Sequence, residues 1–287
     1  MINGINSREM ILEILLEIEE GEHSHVAIRN ALSKYQFLPK QDRAFITRVC
    51  EGTLEYRIQI DYIINSFSKV TVDKMKPAIR EILRSAVYQL KYMDSVPDSA
   101  VCNEAVKLAQ RKGFYNLKPF VNGVLRTIAR EMDQVRFPQK EDDLLKYLSV
   151  KYSMPEVLVT RWLEAYGEET TEKILADFLM EHPLTIRCRT YLNSKEEVIK
   201  SLESQGVHVA PAPYLPYAYS ISEFNHILAL DAFIKGKIVV QDVSSMLVAE
   251  VADPKKGDYV IDVCAAPGGK SLHTVSYTHL RAHETLS

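Results

Sequence analysis

The 287 residues predict a multi-domain chain: an all-α domain, then a small α+β module, then the beginning of an α/β domain. Three observations lead there. Apolar residues recur at helical spacing through the first 130 positions. Short alternating stretches flank a capped helix after Pro183. A β-branched run, Tyr259-Val260-Ile261, enters the small-residue stretch Asp262-Val263-Cys264-Ala265-Ala266-Pro267-Gly268-Gly269-Lys270-Ser271.

The helical domain is expected over 1–132. Ser7 caps a helix carrying Ile11, Ile14, Leu15 and Ile18, which Gly21 ends. Further helices are predicted at 26–34, 41–67 and 76–93, the last with Ile79, Ile82, Leu83, Ala86, Val87 and Leu90 on one face. Pro97 marks the next helix start, with Asp98 or Ser99 as cap. A final helix holds Phe120, Val124, Leu125 and Ile128. Asn122 and Gly123 interrupt its apolar character at a cost of ~1 kcal/mol for the glycine, which points to close helix packing.

A helical connector is expected over 133–182. Leu144, Leu145 and Leu148 lead to a helix start at Pro155, then to Leu158, Val159, Trp162, Leu163, Ile174, Leu175 and Phe178. Trp162 reads as core in preference to a base-stacking platform. The α+β module spans 183–235. Pro183 to Arg189 alternates as a strand, Ser194-Lys195-Glu196-Glu197 is a capping box, and Gly206 stops the helix it opens. Val207-His208-Val209 and 217–221 read as further strands. Arg187 and Arg189 share a strand face by period two, so they either meet phosphate or form a solvated edge.

The third domain is expected over 236–275. Residues 237–241 read as a strand and Val243 onward as a helix that Pro254 ends. Asp242 and Ser245 serve either as helix caps or in the site. Beyond the β-branched run, Ala, Pro and Gly leave little side-chain bulk, and two glycines tolerate positive φ, so a ligand can approach backbone closely. A helix following such a turn offers N–H groups to a negatively charged or nucleotide-like ligand. A P-loop would need glycine where Cys264 stands, and no Gly-x-Gly-x-x-Gly is present.

Composition narrows the classes. The chain has 35 Lys and Arg against 38 Asp and Glu, a net charge of −3. The first 130 residues are mildly basic and 131–235 acidic, which permits an RNA contact in the first domain without demanding one. No apolar run approaches the ~18 residues that cross a bilayer. Four scattered cysteines without a Cys-x-x-Cys pair argue against zinc and disulfides and suit a reducing cytoplasm.

The run Asp262 to Ser271 resembles the first S-adenosylmethionine motif of the RNA 5-methylcytosine methyltransferases, Asp-x-Cys-Ala-Ala-Pro-Gly-Gly-Lys. Gly236 through Gln241-Asp242 and Ser244-Ser245 resembles the segment preceding it in that family. Residues 1–132 resemble the NusB antitermination factors through Asp42-Arg43-Ala44-Phe45, Val96-Pro97 with Asn103-Glu104-Ala105-Val106, and Phe120-Val121-Asn122-Gly123-Val124-Leu125-Arg126. In this order the parts resemble the bacterial 16S rRNA cytosine carbon-5 methyltransferases that carry a NusB-like domain (the Sun or Fmu type), over residues 1 to about 275. One departure is Cys188-Arg189, where that family has Val-Asn.

The resemblance implies a cytoplasmic, monomeric rRNA methyltransferase with a Rossmann-like catalytic domain, using S-adenosyl-L-methionine on 16S rRNA. Cys264, Ala265, Ala266, Pro267, Gly268, Gly269 and Lys270 are the implied cofactor contacts. Arg29, Arg43, Arg48, Arg187 and Arg189 are candidate RNA contacts, with Lys34, Lys40, Lys107, Arg111 and Lys112 as further ones. No metal is implied. The family's two catalytic cysteines match none of Cys50, Cys102, Cys188 or Cys264. A complete sheet of this kind needs ~150 further residues, so the chain is expected to be an inactive amino-terminal fragment. Ser276 to Ser287 resembles adapter read-through and is expected to be a non-native tail. The competing expectation is a non-catalytic NusB-like RNA-binding or antitermination module.

Overall fold

The structure, a computed structural model, describes residues 6–35, 38–180, 182–224, 226–255 and 257–278. It divides into two compact units, 1–180 and 181–287.

In the first unit, helices α1 (Ser7–Glu19), α2 (Ser24–Lys34), α3 (Lys40–Glu55), α4 (Arg57–Phe67), α5 (Pro77–Tyr92), α6 (Asp98–Arg111) and α7 (Lys118–Glu131) enclose one apolar core. Leu12, Ile46, Ile60, Ile63, Leu83, Val121 and Leu125 are wholly inaccessible within it. Three helix boundaries differ from the expected ones. Asn6, not Ser7, caps α1, its side chain accepting from the Arg8 amide at 2.9 Å. Pro97 occupies the cap position of α6, which leaves Asp98 in the first turn, where it complements the helix dipole.

The single helix expected over 41–67 is broken at Tyr56 (φ −94°, ψ 17°). Tyr56 there stacks on Tyr92 at 4.2 Å and lies 6.4 Å from Tyr88. Tyr88 in turn covers Gly52, where an added Cβ would come within 2.1 Å of its ring. Aromatic packing against α5 thus overrides a continuous helical pattern.

Beyond α7, Asp143 caps α8 (Leu144–Lys151), accepting from the Lys146 amide at 2.9 Å. Helix α9 (Glu156–Phe178) bends at Gly167, whose φ of 74° only glycine adopts readily. The bend lets Trp162 stack on Phe178 at 5.7 Å, over a small cluster of Leu148, Val159 and Leu175. Trp162 is half-buried against that cluster.

The second unit is built on an antiparallel sheet of order β2-β3-β1-β4, with β1 Leu184–Cys188, β2 His208–Pro211, β3 Ala218–Ser222 and β4 Ile238–Val240. Ser194 caps α10 (Lys195–Glu203), accepting from the Glu197 amide at 3.3 Å. Val198 and Leu202 of α10 pack against Ile186, Cys188, Ile221 and Ile238. A short helix that periodicity did not reveal, α11 (Asp231–Ile234), adds Ala232 to the same core. On Ala218, from the other set of alternating positions, sits Met246 of α12 (Val243–Ala252).

Strand β4 pairs with β1 from Ile186–Val240 to Cys188–Ile238. The division expected between 235 and 236 therefore runs through a hydrogen-bonded sheet. The strand expected at 259–261 is not formed. Tyr259 is 92 % exposed and Ile261 73 %, and among the described residues no strand lies alongside to take up their backbone groups. Of the tail expected from Ser276, residues 276–278 form the last turn of α13 (Gly269–Thr278), and the rest lies outside the described residues.

Candidate cofactor loop and its polar anchor

Asp262 organises the stretch that follows it. Its carboxylate accepts the Cys264 amide at 3.0 Å and the Ser271 hydroxyl, closing the loop on itself. These two donors hold the Asp262 carboxyl below the usual carboxylate range, the Ser271 hydroxyl contributing most. Gly268 turns the chain at φ +99°, its amide donating to the Ala265 carbonyl, and α13 begins at the next residue. Only glycine enters that conformation without strain. The Leu272 amide then donates to the Gly268 carbonyl at 2.8 Å.

Residues Cys264 to Pro267 and Lys270 are exposed, and Gly268 and Gly269 half-buried. The loop therefore presents a short, low-bulk edge leading into a helix start, open to solvent. That form suits an anionic or nucleotide-like ligand at its backbone. The donor set, a glycine turn and first-turn amides with Lys270 beside them, is chemically compatible with the carboxylate and hydroxyls of S-adenosylmethionine.

Behind the loop lies a polar chain that the sequence pattern did not reveal. Arg187 on β1 is 4 % exposed and Gln241, just after β4, 6 %. The Arg187 Nε donates to Gln241 Oε1 at 2.8 Å, and Gln241 Nε2 donates to the carbonyl of Gly269 at 3.2 Å. His273, on the first turns of α13, is 1 % exposed and meets the Tyr217 ring edge-on at 5.6 Å. The Tyr217 hydroxyl donates to Glu250 on α12. Burial lowers the His273 pKa from 6.5 to about 4, with the Arg187 cation acting in the same direction and Glu250 against it. His273 is thus neutral at physiological pH.

The expected site residues fall into distinct places. Arg187 is corrected as an RNA contact: it is 4 % exposed and its Nε is engaged by Gln241, which leaves its side chain no open surface to offer RNA. Arg189 is half-buried beside Gly236. Arg29 and Arg48 are exposed on α2 and α3, while Arg43 is half-buried. Lys107 pairs with Glu104 at 2.8 Å, and Lys112 with Glu9 and Glu13 at 3.2 and 2.9 Å. Arg111 lies 4.0 Å from Glu9. Asp242 caps α12, accepting from the Ser244 amide at 2.8 Å.

Cys50, Cys102 and Cys188 are buried, and burial pushes all three thiols up, Cys188 to about 11. Such thiols are poor nucleophiles. Cys264 is exposed in the loop itself. Sequence had flagged the Gln241-Asp242 pair for its aspartate, but nothing local marks Gln241 as the link to Gly269, since the two are 28 positions apart.

Residues 5–130 match the model of the NusB family. Residues 154–227 match that of the Methyltr_RsmF/B-like, ferredoxin-like domain. The chain is 34 % identical over 266 residues to the probable ribosomal RNA small subunit methyltransferase B of Bacillus subtilis (strain 168), covering 93 % of this chain and 59 % of that protein. It is 31 % identical over 271 residues to the corresponding probable enzyme of Synechocystis sp. (strain ATCC 27184 / PCC 6803 / Kazusa), covering 94 % and 60 %. The crystal structure of PH0851 superposes with a TM-score of 0.68 at 26 % identity, covering 96 % of this chain and 61 % of that one. The chain spans about three fifths of the length of the curated relatives it matches. The chain thus carries a NusB-family domain followed by a Methyltr_RsmF/B-like, ferredoxin-like domain, and over 93 % of its length it is similar to a protein named as a probable ribosomal RNA small subunit methyltransferase B.

Proposed function

We propose that this chain serves S-adenosylmethionine-dependent methylation of a cytosine at carbon 5 in 16S rRNA, and that 262–271 opens a Rossmann-like domain and forms one side of the methyl-donor site. The observation that carries this is the loop itself: Asp262 locks a turn of Ala, Pro and Gly that delivers the chain into α13. Similarity to relatives named as rRNA methyltransferases supports it.

In this reading Cys264 to Lys270 line the donor, with the amides of Ala265, Ala266, Gly269 and Lys270 facing it while those of Cys264 and Gly268 hold the turn, and Lys270 places a cation beside its carboxylate. The bound donor supplies an electrophilic methyl group. Gly268 and Gly269 keep side chains out of its way, while Asp262 holds the turn in shape. The buried thiols take no part, so covalent attack on the base belongs to cysteines other than Cys50, Cys102 and Cys188. Arg29, Arg43 and Arg48, on adjacent helices of the NusB domain, are proposed to meet rRNA phosphates, with Arg189 a further candidate. The protein acts as a cytoplasmic monomer.

The test is to incubate full-length protein with S-adenosylmethionine and unmodified small-subunit rRNA, then read nucleosides by mass spectrometry. 5-Methylcytosine is expected. RNA retention without any methylated base would favour the competing reading, an RNA-binding module without chemistry.

A further inference from the structure

We infer that Gln241 and Arg187 are positioning residues for the glycine loop, tying its helix start to the ferredoxin-like sheet. The inference deepens the donor-site reading of 262–271 and rests on it only for the identity of the ligand.

The geometry allows one assignment of the Gln241 carboxamide. Arg187 can only donate, so the group facing its Nε at 2.8 Å is the amide oxygen. A carbonyl can only accept, so the group facing Gly269 at 3.2 Å is the amide nitrogen. The carboxamide is therefore a relay with a defined polarity, from guanidinium to carboxamide to loop carbonyl. Both side chains are more than nine-tenths buried, so water does not substitute readily for either bond.

The relay is also rigid at its base. Arg187 lies in the middle of the sheet, opposite Ala218 on one side and Val239 on the other. The backbone amide of Gln241 donates to Thr185 at 3.2 Å, extending the β4–β1 ladder to the relay residue itself. At the far end, Gly269 is the first residue of α13, directly after the turn at Gly268. His273, one turn on, is buried against Tyr217. The exposed loop thus has two fixed points on the sheet side, the Gly269 carbonyl and the His273 ring, and one substitution removes the hydrogen-bond donor to the first.

Gln241→Glu separates positioning from general stability. It keeps an acceptor for Arg187 and the side-chain volume, but it replaces the donor to Gly269 with a carboxylate that repels the carbonyl. Hydrogen exchange on the ligand-free chain is the direct readout, because the Gly268 and Leu272 amides are both bonded within the turn. In Gln241→Glu these amides are expected to exchange roughly five- to tenfold faster, while amides of β1 and β3 keep their wild-type rates. Arg187→Lys, which keeps the charge but loses the planar guanidinium, is expected to give a smaller acceleration at the same amides. Unchanged exchange at Gly268 and Leu272 would overturn the inference, as would equal acceleration in β1 and β3, which would mean a general core role. Titration of the full-length protein with S-adenosylmethionine, read by calorimetry, tests the ligand separately. Absence of heat alongside accelerated exchange leaves the anchor standing and removes the donor-site reading.

Discussion

The helical core of the NusB domain and the loop at 259–271 are opposite solutions to the same demand on the chain. In the core, identity is dispersed: Leu12, Ile63, Leu83 and Leu125 are interchangeable in kind, and they matter because each is sealed among the others. In the loop, identity is concentrated in ten contiguous residues of which most are exposed. Packing chemistry is recognised by periodicity and lost by cavities, whereas ligand chemistry is recognised by a short string and need not be buried to be specific. The difference teaches that burial and information are separable in this molecule.

The comparison breaks most visibly where a charge is enclosed in the core. Arg84 bridges Asp61, at 2.6 and 2.7 Å, and Glu81, whose side chain is only 5 % exposed. Removing the guanidinium in Arg84→Ala strands buried carboxylate, and a loss of ~3–5 kcal/mol is expected in urea unfolding of the helical unit. Leu83→Ala should follow at ~2–4 kcal/mol in the same assay, from lost burial and the cavity left. If either variant unfolded at the wild-type midpoint, the helical core would not be the tightly packed body described above.

Gly52→Ala sharpens the comparison from the other side. The added Cβ meets the Tyr88 ring, which is itself buried, so the α3–α5 contact must open. An overpacking cost of ~1–3 kcal/mol is expected. A stability-neutral result would show that the Tyr56–Tyr88–Tyr92 group moves freely.

A pH test addresses the seat of α13. The folded pKa of His273 lies below its unfolded value, so the unfolded state takes up the proton first as pH falls. The contribution of neutral His273 is complete above about 6.5 and is lost progressively as pH drops toward about 4. Protection of the Leu272 amide, its exchange rate taken relative to the intrinsic rate at each pH, should therefore fall over that window. His273→Gln should flatten the dependence, and an unaltered profile in the variant would remove His273 as its cause. The smallest effect is expected at Tyr259→Ala: at 92 % exposure its loss should shift stability by less than ~0.5 kcal/mol. A larger cost would mean that 259–263 is packed in solution.

Legibility followed the range of the interaction. Helices with clean apolar spacing, such as α5 and α7, and local devices such as the Ser194 capping box and the Asp242 cap could be read directly, because each is completed within a few residues. The ten-residue loop was legible as a pattern for the same reason. The break at Tyr56 was not, because it depends on rings from α5 more than thirty positions away. Arg187 was misplaced because period two assigns residues to a face but does not say what covers that face.

The sequence by itself determined the order of the parts, the helical character of the first, and the string that marks the loop, since all of these are written in local spacing and composition. Tertiary structure alone decided that β4 closes the antiparallel sheet on β1, that Arg187 turns inward, and that Gln241 carries the sheet's rigidity to Gly269. Those are hydrogen bonds between groups 28 to 54 positions apart, and their partners are chosen by how the chain folds back on itself, not by any neighbour in sequence.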